Sequence, residues 1–257
     1  MSAPVHVQRD QPVGVPPLAL TGERTLPDVP AENYWFRRHL AVYEWIAPRV
    51  QGRRVIDMAC GEGYGSAVLA RHAAAVVGVD ANPEAHEHAR LRYRAPNVRF
   101  ERALIDSFTE RADVIVFLQT IEHVREPRAT LRHLRSLVDG RGVLYVSTPN
   151  VLTLAPKGAP RSDNPWHVHE YGADEFEQLC SDCCSSVRVL GVFHARKLRL
   201  HEHALRLGWD AVHARLGLTG RFYDSFTAAI ASSDFVLREV GARELDRALD
   251  LLAVCSG

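Results

Sequence analysis

The stretch VIDMACGEGYG, residues 55–65, governs the reading of the whole chain. A short apolar run carries Asp57 near its end, glycines follow at 61, 63 and 65, and SAVLA then starts a helix. Glycines at such a turn let backbone approach a ligand without a Cβ clash. The next apolar run, AVVGVD, ends at Asp80, nineteen residues after Gly61. A carboxylate at that tip can accept both hydroxyls of a ribose. Taken alone, Asp57 and Asp80 read equally well as turn and cap residues. The strand, glycine turn, helix, strand and acid in succession point to a nucleoside. Pyrophosphate is disfavoured, because Asp57 and Glu62 put negative charge around the loop, whereas a helix N-terminus that binds phosphate wants none. A cationic ligand suits it better.

Outward from this stretch the chain alternates. Apolar runs at 54–58, 75–79, 98–101, 113–118 and 142–146 are separated by helical segments at 66–72, 83–93 and 127–138. Short continuous apolar strands alternating with helices imply a parallel sheet covered on both faces, an α/β doubly wound architecture. The ligand crevice of such a sheet lies beyond the C-terminal strand ends. A helix over 32–47 precedes the first strand. Later segments predict a helix at 173–184, a strand at 187–193, helical stretches broken by glycine over 197–230 and a closing strand at 248–254. The domain reading is a flexible arm over 1–30, where six prolines disfavour regular structure, then one domain over 31–257. An insert at about 194–233 is expected to form a helical cap that shapes the acceptor pocket.

The motifs VIDMACGEGYG, VVGVDANP, DVIVFLQTIEHV and GVLYVSTPN together resemble the class I S-adenosylmethionine-dependent methyltransferases, from about Val55 to Asn150. The resemblance implies a mostly parallel, seven-stranded Rossmann-like sheet and S-adenosylmethionine as cofactor. It maps the methionine part of the cofactor to Asp57, Ala59, Gly61 and Gly63, the ribose to Asp80 with Ala81 beside it, and the adenine to Leu104 and Ile105. Gln119 would border the cofactor, and Arg38 would pair with its carboxylate. Ala59 stands where the family usually has glycine.

The run Gln119-Thr120-Ile121-Glu122-His123 leaves a C-terminal strand end, so Glu122 and His123 belong beside the cofactor. A neutral imidazole there can take a proton from a hydroxyl. Further on, NPWHVHE places His167 and His169 two residues apart, on one side of an extended segment. His123 and His167 are therefore the candidate catalytic residues, with Glu122 and His169 in support. With Gln119, the same groups offer oxygen and nitrogen ligands for a divalent cation. The spacing of Glu122, His123 and His167 is similar to that of small-RNA 3′-terminal 2′-O-methyltransferases, which implies magnesium or manganese. Gln119 replaces a glutamate of that pattern, so a metal-free base is the favoured expectation.

Over 257 residues, Lys and Arg total 31 and Asp and Glu total 31, a net charge of zero. That balance points to no nucleic-acid or membrane partner. No apolar run is long enough for a transmembrane helix, and the N-terminus has no secretory h-region. Five cysteines, an odd number, fit no disulfide framework and suggest a reducing cytoplasm. The CSDCC cluster, residues 180–184, lacks a second Cys pair for zinc and reads as buried thiols.

From about residue 20 onward, TGERTLPDVPAENYWFRRH, EGYG, QTIEHV, VSTPN and NPWHVHE resemble mycobacterial methyltransferases associated with methylmannose or methylglucose polysaccharides. That resemblance implies a sugar hydroxyl on an oligosaccharide acceptor, against which Trp35, Trp166 and Tyr171 would stack. The competing expectations are a small-molecule or lipid/quinone O-methyltransferase and a cofactor-binding regulator without turnover.

Overall fold

Period-two burial along the strands builds two cores on one sheet. In the computed structural model, which describes residues 5–21, 24–156, 158–217 and 219–257, strand β1 is Arg54–Met58 and its residues alternate between the faces. Val55 packs with Tyr43 and Leu69 on one side, and Ile56 and Met58 pack with Phe117 on the other. Strands β2 (Ala75–Asp80), β3 (Val98–Arg102), β4 (Ala112–Leu118) and β5 (Val138–Pro149) run parallel to β1. Strands β6 (Ser186–His194), β7 (Phe235–Arg238) and β8 (Asp250–Ser256) complete the sheet in the order β3-β2-β1-β4-β5-β8-β6-β7. β8 is antiparallel to both β5 and β6, and β7 is antiparallel to β6.

The α/β, doubly wound reading holds. The sheet has eight strands rather than seven, because the polar-flanked FVLR segment pairs with β6 at the edge. β5 is also longer than its apolar run, since ladder hydrogen bonds carry it on to Pro149. Chain order reverses between β1 and β4, which opens a crevice at their C-terminal ends.

Helices α1 (Asn33–Ile46) and α2 (Tyr64–Leu69) cover one face. α3 (Pro83–Arg92) starts where sequence dictates: the Asn82 side chain accepts the N–H groups of Glu84 and Ala85, and Pro83 follows at the first turn. α4 (Pro127–Ser136) packs on the opposite face. A single turn, α5 (Val151–Leu154), follows β5, and α6 (Ala173–Ser181) joins α4 on its face. α7 (Arg196–Arg206), α8 (Trp209–Arg215) and α9 (Thr219–Ala228) form the insert. α9 is held to α1 by Asn33, whose side-chain amide donates to the carbonyls of Thr227 and Ile230.

The arm departs from its expected flexibility. Val5–His6 pairs with Leu18–Ala19 as a small antiparallel ribbon, and Leu18, Leu26 and Val29 are buried together. His88 Nδ1–H donates to the carbonyl of Pro16 at 2.7 Å. Gln8 donates to Glu62 at 2.9 Å, which ties the arm to the glycine loop. Prolines here shape turns between anchored apolar residues. Residues 1–4, 22 and 23 of the arm lie outside the described residues.

Candidate active site

A cleft of about 880 Å³ opens at the reversal point, over the ends of β1, β2 and β4. Its floor begins with Met58, Ala59, Cys60 and Gly61. Ala59 has φ +59°, Gly61 φ +56° and Gly63 φ +97°, so the loop bends through the left-handed region three times. At Gly61 that costs little. At Ala59 the Cβ makes it unfavourable by roughly 1–2 kcal/mol. A Cβ built on Gly61 would meet nothing within 4 Å, which leaves open space over a backbone that lines the cleft. Gly63 is placed differently from expectation. It is absent from the lining, and a Cβ there would run into Ala89 and Phe100 at 2.9 Å. It serves the packing of the loop.

Asp80 lines the cleft, with one carboxylate oxygen accepting Gly61 N–H and the other Asn82 N–H, both at 2.8 Å. Each oxygen keeps lone pairs for further donors. Ala81, Ala103 and Ile105 continue the wall beside it. Leu104, expected at the adenine, instead points to solvent with 66% of its surface exposed, and Ala103 takes the place beside Ile105. Leu104 sits in extended backbone (φ −76°, ψ 148°) just before the turn over 105–107, where successive side chains face opposite ways.

Asp57 lies beneath the loop rather than on its surface. It is fully buried and accepts hydrogen bonds from Ser66 Oγ at 2.6 Å and from the Tyr43 hydroxyl at 3.1 Å. Burial pushes its carboxyl up to about 7. Tyr43 was not anticipated; it lies fourteen residues upstream, on a helix whose periodicity gave no hint of that hydroxyl. Arg38 is also displaced from its expected role. It is buried, paired with Asp250 at the start of β8 and donating to the Leu249 carbonyl, and it does not line the cleft. An arginine inside a helix–sheet interface must be paired, and Asp250 supplies the carboxylate. His39 does line the cleft, held neutral by burial with its pKa lowered to about 4.

The roof comes from the end of the arm, the turn over Pro30–Glu32 and the start of α1. Arg24, Thr25, Ala31, Glu32 and Trp35 all line the cleft. Arg24 is the one guanidinium among the described lining residues, and its place there is not legible in the sequence, where the prolines around it signal only the loss of helix. No described residue of the insert 194–233 lines the cleft. The insert packs on α1 and on the turn over Pro30–Glu32, so it buttresses the rim and does not form the pocket.

Glu122, His123 and His167 come together at the far end. One ligand atom from each lies within 4.8 Å of the others, and the two imidazoles are 5.0 Å apart. The loop carrying His167 is fastened to the turn over Ile121–His123 because the Glu122 carbonyl accepts the N–H groups of Val168 and His169. His123 Nδ1–H donates to the Trp166 carbonyl at 2.8 Å, which leaves the lone pair on Nε2. His167 bonds through both ring nitrogens: Nδ1 to Glu170 at 2.6 Å and Nε2 to the Asn164 amide at 3.0 Å. Burial alone would raise the Glu170 carboxyl, but hydrogen bonds from Ser162 and His167 hold it below its ordinary value. Burial pushes Glu122 up to about 8, and its Oε2 has no hydrogen-bond partner among the described residues. Gln119 lines the cleft with φ +50°, and its amide donates to Ser147. His169 is not brought in: it is exposed and pairs with Glu175. Of the three aromatic candidates, Trp35 lines the cleft, Trp166 is exposed beside His123, and Tyr171 is buried in the core and unavailable for stacking.

The comparisons with known proteins agree with this geometry. A family model described as "Methyltransferase domain" matches residues 32–183. A probable S-adenosylmethionine-dependent methyltransferase of Mycobacterium tuberculosis is 37% identical over 248 residues, spanning 92% of this chain and 89% of that one. A ubiquinone biosynthesis O-methyltransferase of Bordetella avium is 34% identical over 116 residues, 42% of this chain and 48% of that one. Among solved structures, an S-adenosylmethionine-dependent methyltransferase from Mesorhizobium loti aligns with a TM-score of 0.56 at 16% identity, covering 86% of this chain and 98% of that one. Among the described residues, no helix is long and apolar enough to cross a membrane. With the reversal-point cleft, its glycine floor and its ribose-competent acid, the chain belongs to the class I S-adenosylmethionine-dependent methyltransferases.

Proposed function

We propose that the protein methylates a sugar hydroxyl of a mannose or glucose oligosaccharide, in the making of a polymethylated polysaccharide, with His123 as general base. The observation that carries the chemistry is the hydrogen bond from His123 Nδ1–H to the Trp166 carbonyl, which fixes the tautomer with its lone pair on Nε2 at the cleft wall. The open backbone at Gly61 and the Asp80 carboxylate fit a nucleoside, so the residues present suit S-adenosylmethionine. That cofactor supplies an electrophilic methyl group on a sulfonium.

Asp80 holds the ribose hydroxyls, Ala81, Ala103 and Ile105 flank the base, and Arg24 offers a cation for the carboxylate. The far wall, Glu122, His123 and His167, then faces the acceptor. Displacement at carbon needs the acceptor oxygen in line, which is chiefly a positioning task. A sugar hydroxyl is a weak nucleophile, so a base that takes its proton as the new bond forms lowers the barrier. His123 takes that proton at Nε2. His167, braced by Glu170 and Asn164, holds the edge of the site. The sugar acceptor rests on the motif resemblance read from TGERTLPDVPAENYWFRRH to NPWHVHE, and Trp35 and Trp166 provide exposed aromatic faces for a sugar ring.

A second reading is favoured by the closeness of Glu122, His123 and His167, within 4.8 Å: a magnesium or manganese ion that stabilises the alkoxide. The ion would displace the Asn164 contact on His167. A further alternative acceptor is a quinone-like hydroxyl, in line with the partial likeness to the ubiquinone enzyme. Mass spectrometry after incubation with labelled methyl donor decides among these. Methyl incorporation into mannose or glucose oligosaccharides, unaffected by chelator, is the expected result. Loss of turnover with chelator and recovery with Mg²⁺ or Mn²⁺ replaces the base with the ion. Incorporation only into phenolic acceptors overturns the sugar assignment.

A further inference from the structure

The insert carries its own cavity, apart from the methyl-transfer cleft. It measures about 520 Å³ and lies between α8 and α9. Trp209, Val212, His213 and Leu216 fall at i, i+3, i+4 and i+7 and so share one face of α8. Across the slot stand Phe222 and Phe226 of α9, stacked at 5.4 Å with ring planes 15° apart. An amphipathic face of this kind is normally closed by a partner. Here Trp209, Val212 and Leu216 both line the slot and remain open to solvent, with exposures of 39%, 44% and 64%.

His213 gives the slot a chemical requirement. Its residue is only 3% exposed, and neither ring nitrogen has a hydrogen-bond partner among the described residues. It is flanked by Trp209 at 4.7 Å and Phe222 at 4.6 Å, and hydrogen-bonds to neither. Buried polar groups are ordinarily satisfied, so an unpaired imidazole in an apolar slot calls for a ligand atom or a bound water. Arg221 lines the same slot, is exposed, and has no ion-pair partner among the described residues. The insert over 194–233 holds six Lys or Arg against three Asp or Glu, a positive excess in a chain whose net charge is zero.

We propose that this slot binds a single-chain anionic amphiphile, an alkyl or prenyl chain ending in a carboxylate or phosphate. The chain lies between the α8 face and the Phe222–Phe226 pair. The anionic head meets Arg221, and a head-group oxygen hydrogen-bonds to His213. The volume suits one such chain, since small-molecule sites occupy roughly 300–1,000 Å³. The site is independent of the methyl acceptor, because none of its residues lines the main cleft.

Calorimetry with the full chain tests it, using dodecanoate, hexanoate and the uncharged dodecanol as probes. Dodecanoate should bind saturably at one site, on the order of 10²-fold or more tighter than hexanoate, because buried methylenes each add to affinity. Val212→Trp, which fills the slot from an exposed position, should abolish that binding. Arg221→Ala should weaken dodecanoate about 10-fold and leave dodecanol unchanged. Affinity for S-adenosylhomocysteine, measured on each variant, should stay at the wild-type value and reports that the fold is intact. Absence of saturable dodecanoate binding overturns the proposal. So does equal binding by Val212→Trp with intact fold. Binding to vesicles of phosphatidylglycerol without binding of monomeric dodecanoate overturns it too, in favour of a surface contact.

Discussion

At the glycine loop, every polar contact of Asp80 is to backbone: Gly61 N–H and Asn82 N–H, each at 2.8 Å and each within nineteen residues. At the histidine wall the contacts join loops far apart in sequence, His123 to the Trp166 carbonyl over 43 residues and Glu122 to the 168–169 amides. The first region is built by local geometry and can form as soon as β1 and β2 pair. The second exists only when the loop after β5 has folded back. Under the proposed function, cofactor binding rests on a short-range motif, and acceptor chemistry on a long-range closure. Substitutions should separate the two.

The largest effect is expected where both regions share a support. Arg38 of α1 pairs with Asp250 of β8 in the interior. Truncating one partner leaves the other charged and buried, so Arg38→Ala should cost about 3–5 kcal/mol of stability. Chemical denaturation checks this. Arg38→Ala combined with Asp250→Ala should recover part of the loss; a single variant as stable as the parent would show that the pair contributes nothing.

Next comes the histidine wall. Replacing His123 and His167 together by alanine should lower turnover on the order of 10²-fold or more, while calorimetry with S-adenosylhomocysteine stays unchanged. If both quantities fell together, the two regions would be one coupled unit. Turnover near that of the parent, with the fold intact, would leave positioning alone as the source of rate.

The reverse variant, Asp80→Ala, should weaken S-adenosylhomocysteine by about 1–3 kcal/mol, through lost charge-assisted hydrogen bonds. Part of that loss comes from the loop itself, because Asp80 also holds Gly61. Asp80→Asn keeps one acceptor and should lie between. The histidine wall, fastened by its own loop, should keep its structure in both.

These contrasts explain what was legible in the sequence. Asp80, Gly61 and the strand–helix alternation were readable because a tight strand–turn–helix leaves little choice over where those residues go. Glu122, His123 and His167 were grouped by their residue types and spacing, and the structure does bring them together; what the sequence did not show is the fastening, the Glu122 carbonyl accepting the 168–169 amides. Arg38 was misplaced because helix periodicity does not say which charged residue turns inward; that depends on Asp250, more than two hundred residues away. The arm was misread because proline content predicts the loss of helix, and says nothing of three apolar anchors packed together. The insert's role failed for a similar reason: its length was visible, its docking on Asn33 was not.

A proton links the loop to its ligand. Burial raises Asp57 from the ordinary carboxylate range to about 7. A group whose folded pKa is raised stabilises the fold fully below its unfolded value, near 3.8, and that stabilisation is lost as pH rises through about 7. The ligand-free protein should therefore lose stability across that window, by on the order of 1 kcal/mol per pH unit from this group. Asp57→Asn should flatten the loss. A cationic ligand above the loop favours the ionised carboxylate, so binding at pH 7 should release a fraction of a proton. Calorimetry of S-adenosylmethionine in buffers of different ionisation enthalpy reads that release directly; identical heats would mean that Asp57 does not sense the ligand.

The smallest effect tests the local region against itself. Ala59 holds φ +59° without the freedom of glycine, which costs roughly 1–2 kcal/mol. Ala59→Gly relieves that strain, but it also enlarges the unfolded ensemble, worth about 0.4–1 kcal/mol in the opposite sense. The net change should be a stabilisation of no more than about 1.6 kcal/mol, read as a small rise in Tm. Turnover at saturating cofactor should be unchanged, because the wall that faces the acceptor is anchored elsewhere. A clear loss of stability would mean that the Ala59 methyl, packed against the core at the edge of Met58 and its neighbours, contributes more than its backbone strain removes.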